Sequence, residues 1–416
     1  MRTSQDPADP PAAHNVERNV VETYVTRALT PYALRAIEWY PVISLVGPRQ
    51  SGKSTFVKNA FPDYTYISLE DKNMREAALR DPVDFIERRG GRLIIDEAQR
   101  APELFSAIQV ACDARDTTGQ YILTGSQNFL LMKNIGQSLA GRVCLLTLLP
   151  FSYQELSQAS AHMASEDPQL ENIIVRGSYP RLYDKKIPVS RFYADYINTY
   201  VTRDVIEYLD VRNKPSFRKL IGLCAHNAGC LLNYANLAQA LGVSVPTVKS
   251  WLSILEASNI IYFLQPYAST LKKRLIKSPK LYFLDTGLLC AQLDIRTQDQ
   301  LIEHKKFGAI FENYIIAETL KRYDNAGEEP RLFFYRDDSK REIDLLDLTN
   351  VQNPRAIEIK TNKTFHSHFA TQLTSVGDEL SIPRASRLVV SRANATFSAG
   401  NCLVVSAQDY LLDSWS

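Results

Sequence analysis

The sequence predicts an α/β chain of several domains: a parallel sheet around a phosphate-binding loop, a helical lid, a winged helix and a second α/β domain. Three observations carry that prediction. The run Gly47-Pro48-Arg49-Gln50-Ser51-Gly52-Lys53-Ser54 fits G-x-x-x-x-G-K-[ST] at every fixed position. Short apolar strands alternate with helical segments through residues 40–150, the pattern of a mainly parallel sheet covered on both faces. Residues 236–255 read as helix, tight turn, helix.

The loop draws its weight from its flanks. Val42-Ile43-Ser44-Leu45-Val46 is an apolar run of buried-strand length, and Thr55-Phe56-Val57-Lys58-Asn59-Ala60 reads as a helix start. That context turns backbone N–H groups and a helix N-terminus toward phosphate oxygens. On this reading Gly47, Pro48, Arg49, Gln50, Ser51, Gly52, Lys53, Ser54 and Thr55 hold ATP. Lys53 reaches the β- and γ-phosphates, and Ser54 ligates Mg²⁺. Downstream, Arg92-Leu93-Ile94-Ile95-Asp96-Glu97 is an apolar strand ending in two carboxylates. In a nucleotide hydrolase one acid serves the metal and another group orients the attacking water. Asp96 is assigned the first role and Glu97 the second. Either motif alone has a bland reading, as a glycine-rich turn or a strand that ends at solvent; their pairing argues against it.

Composition sets the outer bounds. At 416 residues the chain exceeds a single core, and about two to four domains are expected. The formal charge is +2, so any basic surface for nucleic acid must be local. The six cysteines, Cys112, Cys144, Cys224, Cys230, Cys290 and Cys402, show no CxxC spacing and read as small buried hydrophobes of a reducing compartment. The polar, Pro-rich start lacks a signal-peptide pattern. The longest uncharged apolar stretch, residues 143–153, falls far short of the about 20 a spanning helix needs. A cytoplasmic chain without a membrane partner is expected. The six histidines, His366 and His368 among them, form no zinc set.

Along the chain, residues 1–15 read as a disordered tail, 16–150 as the phosphate-loop domain, 151–212 as the lid, 213–276 as the winged helix and 277–416 as the C-terminal domain. Helical spacing fills 16–39. Strands are expected at 64–69, 93–96, 121–124 and 143–148, and helices at 71–89, 102–114 and 129–139. Ligands of such sheets sit at the carboxyl ends of strands, where the loop, Asp96 and Thr124-Gly125-Ser126 all fall. Residues 150–210 read as helical around a polar stretch at 160–171, and the stripe Phe192, Tyr193, Tyr196, Ile197, Tyr200, Val201 reads as core packing. Next come a helix at 236–241, the turn Gly242-Val243-Ser244, a helix at 245–255, a strand at 260–264 and the basic run Lys272-Lys273-Arg274. Thr247, Lys249 and Ser250 are candidate major-groove contacts, and Lys272, Lys273 and Arg274 candidate phosphate contacts in a wing. A winged helix that binds protein has the same pattern, and the second helix is only weakly basic.

The last portion carries a second constellation. Phe307 opens a long amphipathic helix running to about Tyr323, and strands are expected at 331–336, 342–346 and 356–360. Glu358 and Lys360 share a face of the last strand, while Ile357 and Ile359 point to the core. Asp344 on a neighbouring strand and Glu312 on the helix could join them. Such a set can bind a metal ion that activates water against a phosphodiester; a solvated face with a Glu–Lys pair is the plainer reading.

Taken together, Gly47–Ser54, Ile95-Asp96-Glu97-Ala98-Gln99, Leu123-Thr124-Gly125-Ser126-Gln127-Asn128, Leu139-Ala140-Gly141-Arg142, Gly177-Ser178-Tyr179-Pro180, Tyr200-Val201-Thr202-Arg203-Asp204, Phe283-Leu284-Asp285-Thr286-Gly287-Leu288, Arg341-Glu342-Ile343-Asp344 and Glu358-Ile359-Lys360 resemble the prokaryotic ATPases that join an AAA-type P-loop domain to a C-terminal DUF4143 domain. The resemblance covers about residues 20 to 365. It implies an additional-strand (ASCE-type) P-loop fold, with Ser126 as a sensor residue near the γ-phosphate. It implies Arg142 as an arginine finger or sensor, with Arg203 a weaker candidate; a finger in trans implies a homo-oligomer. A surface cation at a strand start is the equal alternative for Arg142. It also implies a PD-(D/E)xK-like C-terminal fold, on which Glu312, Asp344, Glu358 and Lys360 fall. Arg181 departs from the family pattern, in which an acid follows the Pro, and reads as a sensor-2-like cation.

The function expected is a Mg²⁺-dependent ATPase that couples turnover to binding or remodelling DNA, branched DNA included. The alternatives are a nucleotide-controlled switch or scaffold acting on protein partners, and an ATP-regulated metal-dependent nuclease.

Overall fold

The computed structural model describes residues 24–125, 135–136, 138–162, 169–201, 214–267 and 278–415. The tail at 1–15, Ser126, Arg203 and the run Lys272, Lys273, Arg274 lie outside the described residues.

The helical spacing of 16–39 is realised only at its end. Residues 24–27 are not helical, and the helix spans Thr30–Trp39. Proline sits in its first turn, where a missing N–H costs nothing. Five strands follow: β1 (Val42–Val46), β2 (Thr65–Ser68), β3 (Leu93–Asp96), β4 (Tyr121–Thr124) and β5 (Val143–Thr147). They form one sheet in the order β2-β3-β4-β1-β5, with every pairing parallel. β1, β3 and β4 are buried throughout, as strands covered on both faces must be. β4 lies between β1 and β3, so the loop after β1 and the acids of β3 are set one strand apart at the carboxyl edge. The helices Lys53–Ala60, Lys72–Arg80, Pro82–Glu87 and Glu103–Arg115 make the connections.

Residues 150–201 form short helices, Tyr153–His162, Leu170–Arg176, Pro180–Asp184 and Val189–Tyr196, the last passing into a wide turn at Ile197–Val201. Phe192, Tyr193, Tyr196 and Ile197 are buried. The helices Tyr234–Leu241 and Val245–Ala257 enclose a turn at Gly242. Asn233 caps the first and Ser244 the second through side-chain oxygens.

The second sheet has eight strands in the order β12-β13-β11-β10-β9-β8-β6-β7. They are β6 (Ile261–Pro266), β7 (Lys280–Phe283), β8 (Leu332–Arg336), β9 (Glu342–Asp347), β10 (Arg355–Lys360), β11 (Arg387–Ser391), β12 (Phe397–Ala399) and β13 (Cys402–Ser406). β6 and β7 pair antiparallel as wing strands do, yet β6 also pairs with β8. Among the described residues one hydrophobic core runs from Leu149 to Leu411, and the expected divisions at 212 and 276 lie outside the described residues. The Phe307–Ala326 helix is not amphipathic as expected: Ile310, Phe311 and every residue from Asn313 to Lys321 are buried. It crosses the interior, packed on β7, β10 and the Thr286–Gln292 helix. Cys230 is exposed, unlike the other five cysteines, because it lies in a turn before the helix pair.

Candidate nucleotide site

The loop after β1 folds back under two constraints. Gly47 has φ 146°, and a Cβ there would stand 2.2 Å from the Leu148 carbonyl oxygen beyond β5; only glycine fits. Gly52 has φ 96° and precedes the Lys53–Ala60 helix. The turn leaves the first N–H groups of that helix pointing outward. Arg49, Gln50, Gly52, Lys53, Ser54 and Thr55 line a cavity of about 250 Å³ with Glu70, Asp96 and Glu97. Lys53 is 7% exposed, and its ammonium donates to the Gly47 and Pro48 carbonyls at 2.8 and 2.9 Å. Ser51 is buried, and among the described residues its hydroxyl has no hydrogen-bond partner.

Asp96 is the hub of the opposite wall. Its Oδ2 accepts from the Ser54 hydroxyl at 2.8 Å and from the Tyr66 hydroxyl, and its Oδ1 accepts from Thr124. Burial, then the hydrogen bond and charge of Asp96, raise the Tyr66 phenol above its ordinary value. Glu97 follows in the left-handed region at φ 56°, and the Gln99 side-chain amide donates to its carboxylate. Hard oxygen donors at Ser54 and Asp96, on facing sides of a polar cavity, are the donor set Mg²⁺ takes. The residues present fit that ion.

A further residue was invisible in the sequence. Arg27, 3% exposed, donates from Nη1 to the Ser51 carbonyl at 3.0 Å and from Nη2 to the Leu149 carbonyl at 2.6 Å. Its Nε pairs with Glu155 at 2.9 Å, and its guanidinium lies 4.9 Å from the Phe151 ring centre. One side chain thus ties the loop to the segment leaving β5. Pro180 also faces the loop: a Cβ on Gly52 would come within 3.6 Å of its Cγ. Arg181 is the next residue.

Arg142 is not brought to the loop. Its carbonyl accepts from the N–H of Val42, at the amino end of β1, and its guanidinium pairs with Asp113 at 2.5 and 2.9 Å. That hydrogen bond to Asp113 raises its pKa further. The length of β1, roughly 15 Å, separates it from its own loop. The sheet's polarity thus places Arg142 at the edge opposite its own loop.

The C-terminal residues do assemble, with unexpected company. Lys360 Nζ lies 2.6 Å from Glu358 Oε1 and 4.0 Å from Asp344 Oδ2, and Asp344 Oδ2 accepts the Ile359 N–H at 2.8 Å. Glu358 is buried, against the reading of a solvated strand face, because the Phe307–Ala326 helix covers β10. Glu312 accepts from Tyr282 and from Lys280 at 3.2 Å, and Lys280 pairs with Glu342 at 2.5 Å. Burial, then the charge of Asp344, push Glu358 up to about 8 and Glu312 up to about 7, against Lys360 and Lys280. Burial lowers the Lys280 pKa, but Glu312, Asp344 and Glu342 raise it more. Two lysines and partly protonated acids neutralise one another here. Among the described residues no three His, Cys, Asp or Glu side chains are grouped to hold a metal ion. The four residues expected at a second metal site are thus brought near one another, and Lys280 joins them as a buried counter-charge to Glu312 and Glu342.

On the helix pair, Lys249 and Ser250 are exposed. Thr247 is committed to capping, its hydroxyl 2.8 Å from that of Ser244. Lys249 leans over the Tyr234 ring at 5.2 Å. Among the described residues no helix is long and apolar enough to cross a membrane.

The fold and the loop define an AAA-type P-loop protein. The AAA domain family matches residues 40–157, a domain of unknown function (DUF8612) matches 167–299, and the domain of unknown function DUF4143 matches 307–410. The uncharacterized proteins Mb2031c of Mycobacterium bovis and Rv2008c of Mycobacterium tuberculosis are each 30% identical over 335 residues, covering 79% of this chain and 72% of theirs. The uncharacterized protein MJ1544 of Methanocaldococcus jannaschii is 23% identical over 329 residues, 73% of this chain and 71% of its own. The chain belongs to this family of AAA-domain proteins with a C-terminal DUF4143 domain. Among solved structures, the Walker-type ATPase PABY2304 of Pyrococcus abyssi aligns at 15% identity and TM-score 0.40 over 64% of this chain and 94% of its own. AMPPCP-bound DnaA from Aquifex aeolicus aligns at 14% identity and TM-score 0.29, over 55% and 86%.

Proposed function

We propose that the protein hydrolyses ATP with Mg²⁺. The observation that carries this is the convergence of three groups on one cavity at one sheet edge: Lys53 inside the loop, Ser54 on Asp96, and Glu97 at the cavity wall. The loop's N–H groups would hold the phosphates, and Lys53 would exchange its loop carbonyls for phosphate oxygens. Glu97, steadied by Gln99, would orient and deprotonate the attacking water. Ser54 and Asp96 would hold the ion, which would supply positive charge against that developing on the phosphates. Arg181, the residue after Pro180, is a candidate for a cation that senses the γ-phosphate. Binding of ATP by calorimetry, and its loss in Lys53→Ala, test the site; a folded wild type that binds neither ATP nor ADP refutes it.

The turnover is proposed to act on DNA. The capped helix pair at 234–257 presents Lys249 and Ser250 to solvent, which supports a groove-facing helix. Lys272, Lys273 and Arg274 complete that reading as phosphate contacts. ATPase rates with duplex, single-stranded and four-way DNA decide it. A protein that ignores all three, and shifts none at low salt where phosphate contacts are strongest, is the switch acting on protein partners instead. A homo-oligomer is part of the proposal, since Arg142 can serve only a neighbouring loop.

A further inference from the structure

We infer that Tyr66 is a positioning residue for the magnesium-side carboxylate, holding Asp96 from the neighbouring strand so that the acid keeps one orientation toward the metal. The inference rests on the ATPase reading and adds to it a residue outside both nucleotide motifs.

Three hydroxyls converge on Asp96, and each comes from a different element. Ser54 belongs to the loop helix and is itself an expected metal ligand. Thr124 ends β4 and takes Oδ1. Tyr66 comes from β2 and shares Oδ2 with Ser54. A carboxylate offers about four lone-pair sites. Three are engaged by donors, which leaves room on the cavity side for the metal or its water. Ser54 cannot be the orienting group alone, since its own oxygen is needed by the metal.

The register shows why this must be a tyrosine. β2 and β3 pair in parallel, with Tyr66 opposite Ile94 and Ser68 opposite Asp96. Tyr66 therefore starts two residues behind the acid and must lean along the strand. A serine or threonine there would fall short; a phenol reaches. The ring is fixed as well, with Lys58 of the loop helix 3.9 Å from its centre. Movement of the loop helix and orientation of Asp96 are thus joined through one aromatic side chain. The competing view is that Tyr66 is a packed aromatic that bonds the nearest acceptor. That view predicts a loss of stability with no metal signature.

The test compares Tyr66→Phe with wild type and with Tyr64→Phe. Tyr64 donates to the Gly119 carbonyl at 2.6 Å, away from Asp96, so its variant removes a tyrosine hydrogen bond without touching the acid. Free Mn²⁺ is followed by electron paramagnetic resonance in the presence of ADP, and ADP affinity is measured separately in chelator. Tyr66→Phe should weaken Mn²⁺ affinity on the order of tenfold, while Tyr64→Phe leaves it unchanged and both keep the metal-free ADP affinity. Turnover lost at limiting Mg²⁺ should return at saturating Mg²⁺. Wild-type Mn²⁺ affinity in Tyr66→Phe overturns the inference. So does an equal loss of metal-free ADP affinity, which would make Tyr66 a prop of the loop. Failure of the wild type to bind ADP at all brings down the ATPase reading first, and is told apart by that arm.

Discussion

Replacing Arg27 by Met tests whether the loop is held from outside its own motif. Methionine keeps much of the arginine stem's volume and removes the fork. Three hydrogen bonds go, to Ser51, Leu149 and Glu155, together with the contact over Phe151. Glu155 is 1% exposed, so its carboxylate cannot rehydrate. It keeps the Ala28 N–H at 2.7 Å and the Ser152 N–H at 2.8 Å but loses its cation. Breaking a buried pair from one side costs about 3–5 kcal/mol; the two surviving N–H donors place this case at the lower end, about 3 kcal/mol. For a large domain that is a fall in melting temperature of roughly 6–12 °C, read in thermal denaturation as the first transition. The double variant Arg27→Met/Glu155→Gln removes the orphaned charge and keeps an acceptor for one of the two N–H groups, which sit on different oxygens, so it should recover part of the loss. ATP affinity should fall in both, because Ser51 is released in both. A melting temperature that does not move in Arg27→Met, or a Glu155→Gln change that adds to the loss, refutes the argument.

Glu97→Gln should bind ATP normally and hydrolyse it at least about 100-fold more slowly, by steady-state phosphate release against calorimetric affinity; normal turnover removes Glu97 from the water-orienting role. Gly47→Ala should weaken ATP binding by about tenfold, since the new methyl meets the Leu148 carbonyl and the loop must yield. For pH, the sign follows from the raised acids. Glu358 (about 8) and Glu312 (about 7) hold protons in the folded state that the unfolded chain releases near about 4.5, so stability falls as pH rises through that window. Glu358→Gln should flatten the decline of melting temperature between pH 6 and pH 9; an unchanged slope contradicts the assignment.

What was legible in the sequence was what local chain writes locally. Gly47, Lys53, Ser54 and Asp96 announce themselves through fixed spacing after apolar strands, and the strand–helix alternation gave the parallel sheet. The helix pair at 234–257 was legible because its caps and its glycine turn are short-range signals. Arg27 was not, since Glu155 lies 128 residues away and nothing in its neighbourhood repeats. Tyr66 was read as part of a strand, but its hydroxyl's use depends on which strand lies beside it. Arg142 sits in a motif, yet only sheet polarity shows which edge it occupies. Lys280 changes the meaning of the C-terminal acids from a distance of 32 residues to Glu312.

The Phe307–Ala326 helix joins distant parts of the chain through buried side chains. Its 20 residues extend about 30 Å. Near its start Glu312 belongs to the Lys280 cluster. One residue on, buried Asn313 accepts the Phe283 N–H at 2.8 Å and donates to the Phe283 carbonyl at 2.6 Å, satisfying β7 as another strand would. Near its end Glu318 accepts the Tyr153 N–H at 2.7 Å, and Lys321 donates to the Phe151 carbonyl at 2.9 Å. These two side chains also pair with each other at 2.7 Å, both almost wholly buried. The segment they hold, residues 149–155, is the one Arg27 binds from the other side. A buried charge pair is costly to open, so this segment cannot shift toward the loop without dragging the helix or breaking the pair. The phosphate loop is therefore joined to the Phe307–Ala326 helix by a continuous set of buried polar contacts through Arg27 and residues 149–155.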